Sequence, residues 1–245
     1  MISLSRAEHA ARRFRPRLWP TLAALGGMAL LVALGTWQVQ RLHWKEGLIA
    51  EREAALAMAP APLPAGADDW RAFDFRRVSA VGTFRHDKEQ LFGFSAHQGQ
   101  PGHHLLTPLM RQDGAAVLVD RGWIPADKVH PASRRQGQIE GQVQISGIAR
   151  WRGGEQESWF RPENRPDEAL WYRYDLPALE RATGLDLLPV VIQAGPKPNP
   201  GGLPIPQPGV RPLPNNHLQY AVTWYGLALT LLAVYIAFSL ERRER

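Results

Sequence analysis

The run LWPTLAALGGMALLVALGTWQVQ, Leu18–Gln40, decides what kind of protein this is, and it has a counterpart in LQYAVTWYGLALTLLAVYIAFSL, Leu218–Leu240. Neither stretch contains an acidic or basic residue. At ~1.5 Å of rise per helical residue, each is long enough to cross the ~30 Å hydrocarbon layer of a bilayer. Both read as transmembrane helices, one near each end of a chain of 245 residues. The mean hydropathy of the chain is negative, so it is no polytopic carrier. The length between the spans suits one soluble core.

Basic residues set the orientation. Arg6, Arg12, Arg13, Arg15 and Arg17 precede the first span, against Arg41, Lys45 and Arg52 after it. Arg242, Arg243 and Arg245 follow the second span, whose other flank offers only Arg211 nearby. By the positive-inside bias both ends are expected in the cytoplasm. The chain then divides into a basic N-terminus (1–17), a first span (18–40), an extracytoplasmic domain (41–217), a second span (218–240) and a short C-terminus (241–245). Ala55-Leu56-Ala57 matches a signal-peptidase pattern, but Arg41, Lys45, Glu46, Glu51 and Arg52 separate it from the apolar run, so the first span is expected to be retained. The short basic stub leaves no room for an organelle presequence, which makes a bacterial inner membrane the expected home and the domain periplasmic. The net charge of +6 belongs to topology and lipid headgroups, and no nucleic-acid partner is implied.

Between the spans the pattern changes. Arg41 to Met58 continues as helix formers until Pro60, Pro62 and Pro64 stop them. Short alternating runs follow at 77–81, 90–94, 105–110, 116–120 and 143–148, with Asp113-Gly114 as a hairpin signal. Leu176 to Thr183 reads as a helix closed by Gly184, and Leu187 to Gln193 as a further strand. The expected class is an α+β membrane protein: two transmembrane helices flanking an antiparallel, β-rich barrel or sandwich. Prolines and glycines dominate 195–214, which predicts a semi-rigid tether back to the membrane.

Catalytic motifs are missing: the chain has no G-x-S-x-G elbow, no H-E-x-x-H helix and no glycine-rich phosphate loop. Glu155, Glu157, Asp167 and Glu168 read as solvated loop acids. His103 and His104 are adjacent in a predicted strand, where successive side chains point to opposite faces and cannot share one ion. The absence of cysteine removes disulfides, thiolate metal sites and thiol chemistry.

His217 stands apart by position. At helical period His217, Tyr220, Ala221, Trp224 and Ala228 share a face that begins at the outer membrane interface. An imidazole there can hold haem iron against a flat apolar macrocycle. From these residues alone an ordinary role is favoured, in which Asn215, Asn216 and His217 cap the helix and Tyr220 and Trp224 form an aromatic belt. Trp37, Gln38, Arg41 and Trp44 lie at the matching depth of the first span. If the spans pack through small residues such as Ala23 and Gly27, Arg41 can pair with an anionic group, or it snorkels to headgroups.

Several motifs occur in a specific order. Trp37-Gln38 with Arg41 and Trp44-Lys45, then Phe75-Arg76-Arg77-Val78 leading to Gly82 and Phe84, resemble the opening signature of the surfeit-locus protein 1 family, assembly factors for cytochrome c oxidase. Val119 to Pro125 is similar to the family's R-G-W element, Tyr174-Asp175-Leu176-Pro177 to its D-L-P element, and Asn216 to Tyr220 with Thr223-Trp224-Tyr225 to its closing element. The resemblance implies a non-catalytic factor that helps insert haem a into the catalytic subunit of the oxidase. It implies His217 as the iron ligand, with Trp37, Arg41, Tyr220 and Trp224 shaping the pocket, and the haem a synthase as a further candidate partner. Trp123 is left open between core and contact surface.

Three rivals stand beside this reading. A haem-free scaffold would hold an unfinished oxidase subunit without needing His217. A copper chaperone needs thiolates or methionine clusters, and the chain has no cysteine and only four methionines. A tethered enzyme would require turnover of haem.

Overall fold

A computed structural model of the chain describes residues 13–152, 162–207 and 209–241. Most of the two expected cytoplasmic ends, with Arg6, Arg12, Arg242, Arg243 and Arg245, lies outside the described residues, as do Glu155 and Glu157. The chain forms two compact units, Met1–Ala50 with Pro212–Arg245, and Glu51–Arg211.

The first unit is built on the last helix and on a longer one up to Ala50. Helix α1 spans Leu18–Ala57, so the helix-forming stretch beyond the first apolar run is continuous with it. Its 40 residues extend ~60 Å, about twice what the hydrocarbon layer needs. The final helix, His217–Ser239, has 23 residues. Only 6% and 11% of their apolar windows are buried, so neither is the core helix of a soluble protein. Leu22, Leu25 and Leu30 on one, and Val222, Leu229 and Val234 on the other, are exposed. Two candidate membrane-spanning helices near the ends of the chain are what a membrane protein presents.

The second unit is a barrel. Its strands are β1 (Arg77–Phe84), β2 (Gln90–His97), β3 (Gln100–Arg111), β4 (Ala116–Pro125), β5 (Gln142–Trp151) and β6 (Leu187–Ala194). β1 pairs antiparallel with β5 from Arg77↔Ile148 to Thr83↔Gln142, and β5 pairs antiparallel with β6. β6 runs parallel to β4, β4 antiparallel to β3, and β3 returns to β1 through Gly82↔Arg111 and Phe84↔Leu109. Five strands thereby close on themselves, which removes the open edges that a sheet must otherwise protect. β2 adds to β3 outside the ring. The expected hairpin lies between β3 and β4, where Gly114 takes φ +87°.

Alternation explains which side chains fill the ring. Val78, Ala80, Phe84, Leu109, Val117, Val119, Val190 and Ile192 pack inside it. Their neighbours Ala116, Leu118, Leu187 and Val191 point the other way and are buried with Leu179 and Trp171. Both faces of β4 and β6 are therefore covered, which is why these strands read as nearly continuous apolar runs. Each fully buried Leu or Val contributes ~1.5–3 kcal/mol. Leu179 lies on α2, Leu176–Thr183, whose ends are set by its sequence. Asp175 accepts a hydrogen bond from Ala178 N at 3.0 Å, and Gly184 closes the helix at φ +70°. The D-L-P element is thus a helix start.

The proline-rich segment lies on the barrel. Ile205 exchanges two backbone hydrogen bonds with Trp123, at 2.8 and 2.7 Å, and Asn199 Nδ2 donates to the carbonyl of Arg121 at 3.2 Å. A segment too rich in proline for a central strand still reaches β4 through the few donors it retains.

Candidate functional site

The last helix, α3 (His217–Ser239), packs on α1 along a seam of small residues and paired hydroxyls. Gly35 is buried, and a Cβ there would meet the Tyr225 ring at 2.8 Å. Tyr225 Oη lies 3.1 Å from Thr36 Oγ1, Tyr235 Oη lies 2.7 Å from Thr21 Oγ1, and Gly27 faces Leu231. Gly27 therefore serves the seam as expected, whereas Ala23 is exposed and Gly35 takes the second close approach. On α3 the buried residues are Ala221, Ala228 and Ser239, the two alanines in register with His217 at the start of the helix.

His217 meets α1 through a side-chain hydrogen bond. Its Nδ1 lies 2.8 Å from Gln38 Oε1, and Gln38 is buried. With Nδ1–H donating to the amide oxygen, the lone pair sits on Nε2, the tautomer required of a histidine that ligates through Nε2. The capping alternative is weakened, because Asn216 makes no side-chain capping bond and the His217 ring is turned to Gln38.

The other expected site residues are not joined to His217 by hydrogen bonds among the described residues. Trp224 is half-buried, while Tyr220 and Trp37 are each 54% exposed. Arg41 stacks on Trp44, with its guanidinium carbon 3.7 Å from the ring centroid. The structure therefore unites His217 with Gln38, while Trp37, Tyr220 and Arg41 are exposed and Trp224 is half-buried.

In the barrel, the R-G-W element has separate roles for its three residues. Trp123 is core: it is 5% exposed, stacks by the His97 ring at 5.2 Å and donates from Nε1 to Ser95 O at 3.1 Å. Gly122 takes φ +120°, and a Cβ there would lie 2.0 Å from the Ile205 carbonyl oxygen. Arg121 is 2% exposed and its guanidinium sits 4.8 Å from the Phe84 ring centroid.

A buried charge cluster surrounds Arg121, and no motif announced it. Glu89 Oε2 accepts from Arg134 at 2.6 Å, Glu89 Oε1 lies 2.9 Å from His86 Nδ1, and Arg121 stands 3.7 Å from the same carboxylate. Burial alone would raise the pKa of Glu89, but hydrogen bonds from His86 and Arg134 outweigh it and hold the carboxyl below its usual range. Burial lowers Arg121 to about 10, which leaves it cationic at neutral pH. Glu89, just before β2, and Arg134, in the 3-10 helical segment Pro131–Gly137, lie 45 positions apart, so only the fold pairs them.

His103 and His104 go to different partners, as strand alternation requires. His103 Nδ1 bonds the Gly93 carbonyl, and His104 Nδ1 lies 3.2 Å from Asp120. No group of three metal-ligating His, Cys, Asp or Glu side chains occurs among the described residues.

Comparison with known proteins agrees with the order of motifs. The family model described as the SURF1 family matches residues 25–229. Surfeit locus protein 1 of Homo sapiens is 39% identical over 211 residues, covering 80% of this chain and 69% of the human protein. The SURF1-like protein of Monosiga brevicollis is 35% identical over 248 residues, covering 96% of this chain and 92% of that relative. The SURF1-like protein of Drosophila melanogaster is 34% identical over 230 residues, covering 84% and 75%.

Proposed function

The chain belongs to the SURF1 family, and on that premise we propose that it is an assembly factor for cytochrome c oxidase, binding haem a and assisting its insertion into the catalytic subunit. The observation that carries the proposal is the His217–Gln38 bond, because it fixes the imidazole with Nε2 as the free nitrogen. A side-chain ligand at one end of a helix pair suits a cargo that must be released. His217 would hold the iron, Trp224 and Tyr220 would cover apolar parts of the macrocycle, and Arg41 would pair with a propionate. Trp37 extends the aromatic surround. Haem is cargo in this reading, and the chain carries out no reaction on it.

The partners proposed are the catalytic oxidase subunit, the haem a synthase and the lipid bilayer. The proposed setting is a bacterial inner membrane, with both ends cytoplasmic and the barrel periplasmic; the arginine distribution supports it. A haem-free scaffold is the second reading, favoured by the same hydrogen bond if its purpose is to tie α3 to α1.

The test is to co-produce the chain with the haem a synthesis machinery, purify it in detergent and record oxidised and reduced visible spectra of wild type and His217→Ala. Near-stoichiometric haem that is lost or spectrally altered in the variant is expected. A colourless wild type under haem a abundance would overturn the proposal in favour of the scaffold.

A further inference from the structure

The ring closes between β5 and β6 over only half of β5. Their register runs from Gly147↔Ala194 to Trp151↔Val190, and the ladder ends with Gly195 N donating to the Ser146 carbonyl at 3.0 Å. Beyond it come Pro196, Pro198 and Pro200, which have no N–H to give, and the chain turns to β4, where Asn199 Nδ2 donates to the Arg121 carbonyl at 3.2 Å. The first half of β5 therefore has no strand beside it on that side. Successive residues of an antiparallel strand direct N–H and C=O to opposite neighbours. Ala149 bonds Arg76 and Phe75 on the β1 side, whereas the Ser146 carbonyl bonds on the β6 side. Gln144, two residues before Ser146, points its N–H and C=O to the β6 side as well, where no backbone partner meets them among the described residues.

Two adjoining cavities mark this opening. One, of about 980 Å³, is lined by Gln144 and Ser146, by the apolar side chains of Phe84, Val119 and Val143, and by Lys197. The other, of about 330 Å³, shares Ser146, Ala194, Gly195 and Pro196 with it and adds Arg77. Together they exceed the ~300–1,000 Å³ of a small-molecule pocket, and they follow a strand edge, which suits an extended chain. Residues 51–211 carry as many acidic as basic side chains, yet no acidic residue lines either cavity among the described residues. Arg77 and Lys197 are exposed and form no ion pair among those residues, so both cations are open to a ligand.

We propose that this opening docks an extended acidic segment of a partner protein, which adds as a strand to the free edge of β5 at Gln144. Its alternate apolar side chains lie against Phe84, Val119 and Val143, and its carboxylates face Arg77 and Lys197. All residues of this site belong to the unit Glu51–Arg211, and the inference does not rest on haem binding.

The test uses the full chain in lipid nanodiscs and the fluorescein-labelled peptide Thr-Glu-Val-Glu-Val-Glu-Thr, followed by fluorescence anisotropy with empty nanodiscs as the blank. Saturable one-site binding is expected. The equally charged Thr-Glu-Pro-Glu-Pro-Glu-Thr, which cannot add as a strand, and the basic Thr-Lys-Val-Lys-Val-Lys-Thr should each bind ~10-fold or more weakly. Arg77→Glu with Lys197→Glu, both at exposed positions, should reverse the preference between the acidic and basic peptides. Gln144→Pro removes the N–H that faces the opening and leaves the β1 ladder its donors, so it should weaken the acidic peptide by a similar factor. If Gln144→Pro does not fold, the proline peptide and the charge-reversed variant decide. Absence of saturable binding, equal affinity for the proline peptide, or an unchanged preference in the folded charge-reversed variant would overturn the site.

Discussion

His217 Nδ1 and Gln38 Oε1, 2.8 Å apart, join residues separated by 179 positions, one on each candidate membrane-spanning helix. A ligating histidine depends on the partner of its other nitrogen, which fixes tautomer and ring orientation. On the proposed role of His217 as iron ligand, Gln38→Leu should therefore weaken haem retention by ~10–100-fold while leaving the imidazole in place. Haem-to-protein ratios of co-produced preparations check this. Unchanged occupancy in Gln38→Leu would assign the bond to helix packing alone.

Glu89 balances two buried arginines, and its removal should be felt across the barrel. Glu89→Gln is expected to cost ~3–5 kcal/mol, because it leaves Arg121 and Arg134 uncompensated. Urea denaturation followed by tryptophan fluorescence measures it, and a cost below ~1 kcal/mol would show that the cluster is internally relaxed.

The same residue sets a pH dependence. Its folded pKa lies below the unfolded value of ~4.3, so its contribution is fully present above that value and lost as pH falls through the folded one. The stability difference between wild type and Glu89→Gln should accordingly be large at pH 7 and shrink at pH 3. A difference independent of pH would mean that Glu89 does not titrate with the fold.

Gly122 and Gly93 both have positive φ, but only one is crowded. Gly93 has open space around it, whereas a Cβ on Gly122 would press into the Ile205 carbonyl. Gly93→Ala should cost ~1–2 kcal/mol from backbone strain alone. Gly122→Ala should cost more and release the Trp123–Ile205 bridge, visible as faster hydrogen exchange at both amides. Equal effects of the two substitutions would refute the close approach.

At Gly35 the Tyr225 ring occupies the place of a side chain. Gly35→Leu should force the helices apart. Because the chain has no cysteine, Gly27→Cys with Leu231→Cys is a clean reporter of the seam. Oxidative cross-linking should be efficient alone and fall several-fold with Gly35→Leu added. Retained cross-linking would place the helix contact elsewhere.

Much of the fold was legible in the chain. The boundaries of α2 followed from Asp175 and Gly184, because capping is local chemistry between residues a few positions apart. The strands were visible as alternation, yet alternation is shared by barrels and sandwiches, and only the β3–β1 pairing closes the ring. At the candidate site, His217 stood out by its position at the mouth of an apolar run. Its partner Gln38 is one polar residue near the end of another, and nothing local singles it out. The proline-rich segment read as a tether because its composition speaks only of stiffness; its contacts with Trp123 and Arg121 are long-range.

The sequence by itself determined the two apolar spans, the strand-rich middle and the short helix, since each depends on periodicity, composition or capping within one stretch of chain. Tertiary structure alone decided that Trp123 is core, that Gln38 orients His217, and that Glu89 is shared by Arg121, Arg134 and His86. Those outcomes rest on which distant side chains burial brings within hydrogen-bonding distance. Hydrogen bonds and ion pairs between remote residues leave no local signature, because their strength comes from the low-dielectric surroundings that the completed fold creates.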